Sequence, residues 1–168
     1  MRCSKTNRVI GVHEMVINHM DEMLPLINSM SAGEIIEAIG GNLYNEDVDW
    51  EKILSYPQFV QDIIFLIDLD TALAMNGDVL MNNLERVPNM IAALKNIGAD
   101  NDSVILQKIY DEYILTCNTD SAVEVWNDNL YKEMYFYNDF DIWGLLKNHV
   151  EHKNANTSAE IKKSAIAN

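Results

Sequence analysis

The chain has 168 residues, 26 acidic side chains against 12 basic ones, and a formal net charge of −14. Disordered acidic proteins reach such values by being poor in apolar residues, whereas 48% of this chain is hydrophobic, so a folded domain is expected rather than a solvated tail. The charge excludes nucleic acid as a direct ligand and argues against an anionic membrane surface, and it favours partners with basic surfaces.

The length suits one domain that buries roughly 70% of its unfolded surface without disulfide or metal. Three parts are expected: a basic arm over 1–12, an acidic helical domain over 13–152, and a polar tail over 153–168 with room for one short helix. The start, Met1 to Arg8, is basic but leads into no apolar segment, and Ile63-Ile-Phe-Leu-Ile67 is too short to span a bilayer. A cytoplasmic protein is expected. Cys3 and Cys117 are isolated, with no metal or redox spacing.

Helix signals follow one another along the chain. Ser31-Ala-Gly-Glu34 reads as a capping box, with Gly40-Gly41 as the stop. Pro57 suits a first helical position, and an apolar run continues to Ala74 before Asn76-Gly77. Pro88 opens a helix with Ile91, Leu94 and Ile97 on one stripe and Gly98 at its end. Asp100 or Asp102 is placed to cap a helix through Ile105, Ile109, Tyr113 and Cys117, and Asp120 to cap another through Val123, Trp126, Leu130 and Tyr137. Thr157-Ser-Ala-Glu160 reads as a second capping box after a polar tether, His152 to Ser158. No alternating run exceeds four or five residues. The expected fold is all-α, a compact single domain of seven to nine helices.

The acid excess is concentrated. Residues 14–78 carry a net −12 with Lys52 as their one base, and residues 100–141 carry −8. Asp120, Glu124 and Asp128 recur every four residues, about 5–6 Å apart on one helix face, and the first neutralising base is Lys132. Glu46, Asp47, Asp49 and Glu51 crowd one loop and helix start, and Asp100, Asp102 and Asp111 form a third group. Caps and a solvated face explain any one of these carboxylates, but not −20 in two segments. These ten residues are the candidate partner-binding set.

Other chemistry has little support. Asp68-x-Asp70 and Asp100-x-Asp102 begin like calcium loops but lack glycine at the sixth position and glutamate at the twelfth. His149 and His152 have no further metal ligands in sequence and read as part of a polar terminal helix. No nucleotide-binding, nucleophile-elbow or zinc-protease motif occurs, so no enzyme activity, cofactor or metal is expected. Trp50, Trp126 and Trp143 read as core, and Met15, Met20 and Met23 as core filling or a contact seam.

At Leu66-Ile-Asp-Leu-Asp70, Ala74-Met-Asn-Gly77 and Ile91-Ala-Ala-Leu-Lys-Asn-Ile-Gly-Ala99 the chain resembles a small helical bacterial family typified by a DNA-mimic protein of about nineteen kilodaltons. The resemblance covers roughly residues 57–117, and the 19.1 kDa mass agrees. The chain departs from the family's Asn-Gly-Gly-Phe at Asn76-Gly77-Asp78-Val79. The resemblance implies a homodimer whose carboxylates imitate phosphates, occupying the DNA-binding face of a helix-turn-helix repressor and so relieving repression. The alternative within reach of the same charge is an immunity or antitoxin protein that blocks a nuclease or another basic-surfaced toxin.

Overall fold

A computed structural model describes residues 20–43, 49–74, 84–116, 134 and 141–166. Among these residues the structure is all-α, with no strand. It comprises seven α-helices: α1 (Met20–Met23), α2 (Ala32–Asn42), α3 (Trp50–Ile53), α4 (Gln58–Ala74), α5 (Val87–Ile97), α6 (Asp100–Thr116) and α7 (Ile142–Ile166). Two 3-10 segments, Leu24–Ser29 and Leu84–Arg86, precede α2 and α5.

The helix α4 is the axis of the fold. Its buried residues run from Phe59 through Leu73 and lie on every side of the helix, the signature of a helix enclosed by others rather than lying on a surface. Helices α2, α5 and α7 pack against it, and α6 packs on the outer side of α5. Ile63, Ile64, Leu66 and Leu69 of α4 are fully buried with Ile35 and Ile39 of α2, Met90 and Leu94 of α5, Leu106 of α6, and Leu146 and Val150 of α7. The buried Met23 is core filling, and Met20 packs partly buried against the same cluster.

Local chemistry fixes the helix ends. Ser31 caps α2, its hydroxyl accepting from the Glu34 amide at 3.4 Å while its own amide donates to the Glu34 carboxylate at 2.8 Å. The expected stop at Gly40-Gly41 is not used. The helix passes through both glycines to Asn42, whose side-chain amide donates back to Ala38 O at 2.7 Å. Helical glycine costs up to about 1 kcal/mol, and here packing against α4 outweighs it. Pro57 sits one residue before α4, its carbonyl accepting from Val60 and Gln61.

Helix α5 carries Pro in its first turn and ends at Gly98, which has φ 82° and ψ 19°. The Gly98 amide donates to Lys95 O at 3.1 Å and the Ala99 amide to Leu94 O at 2.9 Å. These two bonds are a Schellman closure, and only glycine enters its left-handed position without cost. Ala99 is fully buried, and its carbonyl already accepts from Ser103 in α6. Ile97-Gly98-Ala99 is thus a tight corner between α5 and α6. Neither Asp100 nor Asp102 is the cap. Both lie inside the first turn of α6, where negative charge still suits the helix dipole.

Helix α7 begins under Asp141, whose carboxylate accepts from the Gly144 amide at 2.7 Å. A Cβ at Gly144 would lie 2.1 Å from an Asp141 carboxylate oxygen, the end of a flexible side chain that would turn to make room. The helix continues unbroken through the polar segment 152–158, and Thr157-Ser-Ala-Glu160 starts no helix. The upstream turn of α7 supplies the carbonyls that a capping hydroxyl would otherwise replace. The side chain of Asn154 holds this region to the body, donating toward Ile27 O and Met30 O at 3.4 and 3.5 Å. The second acidic helix expected from Asp120 lies outside the described residues, as do Asn76-Gly77, Cys3, Cys117, Met15 and Trp126.

No added Cβ would clash at Gly98, so Gly98→Ala tests backbone strain alone. It is expected to cost about 1–2 kcal/mol, read as a lower denaturation midpoint with an unchanged slope.

Candidate functional site

Two kinds of carboxylate occur, and they do different work. One kind is exposed. Among the described residues eleven acidic side chains are exposed, against five exposed lysines. Asp49 caps α3, accepting from the Lys52 amide at 3.0 Å, and Glu51 follows in the first turn of that helix; both are exposed. Asp100 and Asp111 are exposed on α6, eleven residues and three turns apart, so they share one face about 16 Å apart along the axis. Asp111 accepts from Gln107 at 2.9 Å. Asp102 departs from this group. It is fully buried on the opposite face of α6, withdrawn from any surface a partner touches. Glu46, Asp47, Asp120, Glu124 and Asp128 lie outside the described residues.

Part of this surface is locally neutralised. The Lys52 ammonium pairs with Asp21, and the Tyr56 hydroxyl donates to the other Asp21 oxygen at 3.1 Å. The hydrogen bond to Asp21 raises the Lys52 pKa, while burial first and Asp21 second raise that of Tyr56. Such exposed pairs contribute little to stability.

The other kind is buried, and sequence reasoning missed it. Asp62, in the second turn of α4, is 1% exposed. Its Oδ1 accepts from Gln58 Nε2 at 3.0 Å and from Asn96 Nδ2 of α5 at 2.9 Å. Its Oδ2 lies 2.9 Å from Nε2 of His149 on α7, a contact satisfied when the ring donates from that nitrogen. His149 is therefore a core partner and not part of a polar terminal face; His152, three residues on, is exposed.

Asp68, two turns along α4, is equally buried and meets Arg86, with Nε 2.9 Å from Oδ2 and Nη2 3.3 Å from Oδ1. The guanidinium lies 4.0 Å from the ring centroid of Trp50, which stacks on Phe65 at 6.0 Å. Asp68 is thus a structural ion-pair member rather than the start of a cation loop. Trp50 is partly buried as expected for core, but Trp143 is 38% exposed. The signal in sequence was an acid inside the run Ile63–Leu69, which a central helix tolerates only with a partner.

Among the described residues no group of three or more His, Cys, Asp or Glu side chains is arranged to hold a metal ion, and no helix is long and apolar enough to cross a membrane. What the arrangement offers is fixed negative charge on helices. Comparison with family models, with curated proteins and with solved structures gave no match.

Asp62→Ala strands the His149 ring inside the fold and is expected to cost about 3 kcal/mol. His149→Ala should cost a similar amount, and the double variant clearly less than the sum, measured by urea denaturation. Asp70 reaches solvent at the side of α4, but neighbouring atoms partly desolvate its carboxyl and raise its pKa from 3.8. Between that value and the raised one the folded state binds more proton, so stability falls as pH rises through this window. Asp70→Asn should therefore stabilise the protein slightly at pH 7, and the gain should vanish below about pH 4, read as a shift in urea midpoint.

Proposed function

We propose that the protein is a non-catalytic DNA-mimic inhibitor that seats its carboxylate-bearing helices against the DNA-binding face of a helix-turn-helix repressor and keeps operator DNA out. The observation that carries this reading is a net charge of −14 on a folded helical body whose exposed acids outnumber its exposed lysines more than twofold among the described residues. Charge held on helices is preorganised, so it meets a basic surface without the ordering cost that a disordered acidic tail has at binding. A repressor dimer reads half-sites roughly 34–36 Å apart, a span that a body of this size can cover. Base edges are absent from such a surface, so selectivity rests on shape and on contacts other than the phosphate-like ones. The sequence resemblance points the same way.

The reading names Asp49, Glu51, Asp100 and Asp111, together with Glu46, Asp47, Asp120, Glu124 and Asp128, as contacts. Asp102 serves the fold. The partner is found by low-salt pull-down from lysate and then titrated against its operator DNA. Asp49→Asn/Glu51→Gln and Asp120→Asn/Glu124→Gln/Asp128→Asn should each weaken displacement about tenfold or more, chiefly through slower association, with thermal stability unchanged. Asparagine still caps α3, so shape is kept while charge is lost. A ternary complex of protein, repressor and operator sinks the reading. Capture of a nuclease whose activity is blocked, with no repressor bound, supports the immunity-protein alternative instead.

A further inference from the structure

The turn that carries Asp49 and Glu51 has little of its own to hold it in place. Helix α3 is four residues long, and a helix that short does not sustain itself in water. Its local bonds close it: Asp49 accepts from the Lys52 amide at 3.0 Å, and the Ile53 amide donates to Asp49 O at 3.2 Å. Those bonds shape the turn but do not fix where it sits on the body. No other described helix packs along it at length. Its position therefore rests on side chains. Lys52 reaches Asp21, an exposed pair that contributes little. Ile53 is buried, and Trp50, the largest of the four, is lodged partly buried against the core.

Two groups meet the Trp50 ring. Phe65 of α4 stacks on it, with centroids 6.0 Å apart and planes at 30°. The Arg86 guanidinium lies 4.0 Å from its centroid, close enough for the ring to attract a cation. Arg86 is itself held. Its Nε is 2.9 Å from Oδ2 of Asp68 and its Nη2 3.3 Å from Oδ1, and that acid is buried in α4. A line of contacts thus runs outward from the central helix. Asp68 holds Arg86, Arg86 holds Trp50, and Trp50 stands between Asp49 and Glu51 in the chain. The charges along this line matter as much as the distances. A free arginine beside the turn would cancel one of its acids. Asp68 neutralises it, so Arg86 supplies a flat, rigid face with no net charge, and the acidity of Asp49 and Glu51 is left intact.

We propose that Arg86 is a positioning residue for this acidic turn. Acting through the Trp50 ring, it holds Asp49 and Glu51 in fixed places for a basic partner, while Asp68 removes its charge from the surface. That the two acids touch a partner rests on the mimicry reading; that Arg86 fixes them does not.

The experiment has two arms, both on the full chain. Arg86→Lys keeps a cation beside Asp68, so the buried acid stays paired, but loses the planar group over the ring. Trp50→Leu keeps the Asp68–Arg86 pair and removes the ring. Neither changes the net charge. In amide hydrogen exchange followed by NMR, both should speed exchange at Lys52 and Ile53 about fivefold or more, with the core amides of Leu66 and Leu94 changed less than about twofold. Wild-type exchange at Lys52 and Ile53 in both variants overturns the proposal. So does an equal rise at Leu66 and Leu94, which would make Arg86 a stability residue only.

The second arm uses a synthetic arginine-rich peptide as the basic probe, with rates from surface plasmon resonance. Arg86→Lys should speed dissociation about threefold or more and leave association within about twofold, because long-range attraction follows charge and the charge is constant. Asp49→Asn/Glu51→Gln should slow association instead. Since Arg86 acts through those acids, adding Arg86→Lys to that variant should change nothing further. An equal increment in both backgrounds overturns the proposal. Peptide binding indifferent to Asp49→Asn/Glu51→Gln counts against these acids as contacts, and hence against that part of the mimicry reading, and the exchange arm then decides the role of Arg86 by itself.

Discussion

Two carboxylates on one enclosed helix set the terms for the rest of the molecule. An ionised acid in an apolar interior is tolerable only when it is paired and its lone pairs are filled. Asp62 and Asp68 meet that demand with groups drawn from elsewhere in the chain: Asn96 from α5, His149 from α7, and Arg86 from the turn before α5. The consequence is positional. A helix as apolar as α4 can rotate or slide among hydrophobic neighbours at modest cost, but each polar contact has one geometry. The pairs therefore fix the register of α5 and α7 on α4, and α2 and α6 follow by packing. Ion pairs of this kind contribute specificity more than net stability.

The surface obeys the opposite rule. Among the described residues its exposed carboxylates outnumber the exposed lysines and repel one another weakly, although Asp49 and Asp141 still cap helices. Lys52 relieves Asp21, and Gln107 occupies Asp111, but both are local adjustments. A surface that lowers its own stability in this way makes physical sense where the excess charge meets something basic. The same helices serve both ends: α6 keeps Asp102 inside for the fold and presents Asp100 and Asp111 outside.

Much of this was legible in sequence, for identifiable reasons. Ser31 with Glu34, Pro88 and Gly98 mark helix ends because each supplies a hydrogen bond or a backbone angle locally, and local chemistry is written in consecutive residues. Gly40-Gly41 and Thr157–Glu160 misled because tertiary packing carried the helix through both. The apolar periodicity of α5 identifies Ile91, Leu94 and Ile97 as core, whereas α4, apolar on every side, hides which face its acids use. Asp102 was placed with Asp100 and Asp111 by proximity in sequence, yet its position on the helix puts it on the buried face. Reading His149 as part of a polar terminal helix misses its buried partner, because Asp62 is far away in the chain and no window of residues shows such a pairing.

That separation has a consequence for how the molecule is made. Asp62 and His149 are 87 residues apart. At roughly 5–20 residues per second, about 4–17 s of synthesis pass between the two side chains. Throughout that interval α4 and α5 can already meet, since the corner at Gly98 is short and their contacts are near neighbours in the chain. Asp62, however, has only amides to hold it. The core cannot close in its final form until the ribosome has delivered α7. The side of α4 that α7 covers stays open to water until then, and α7 closes the interior around an acid made long before it.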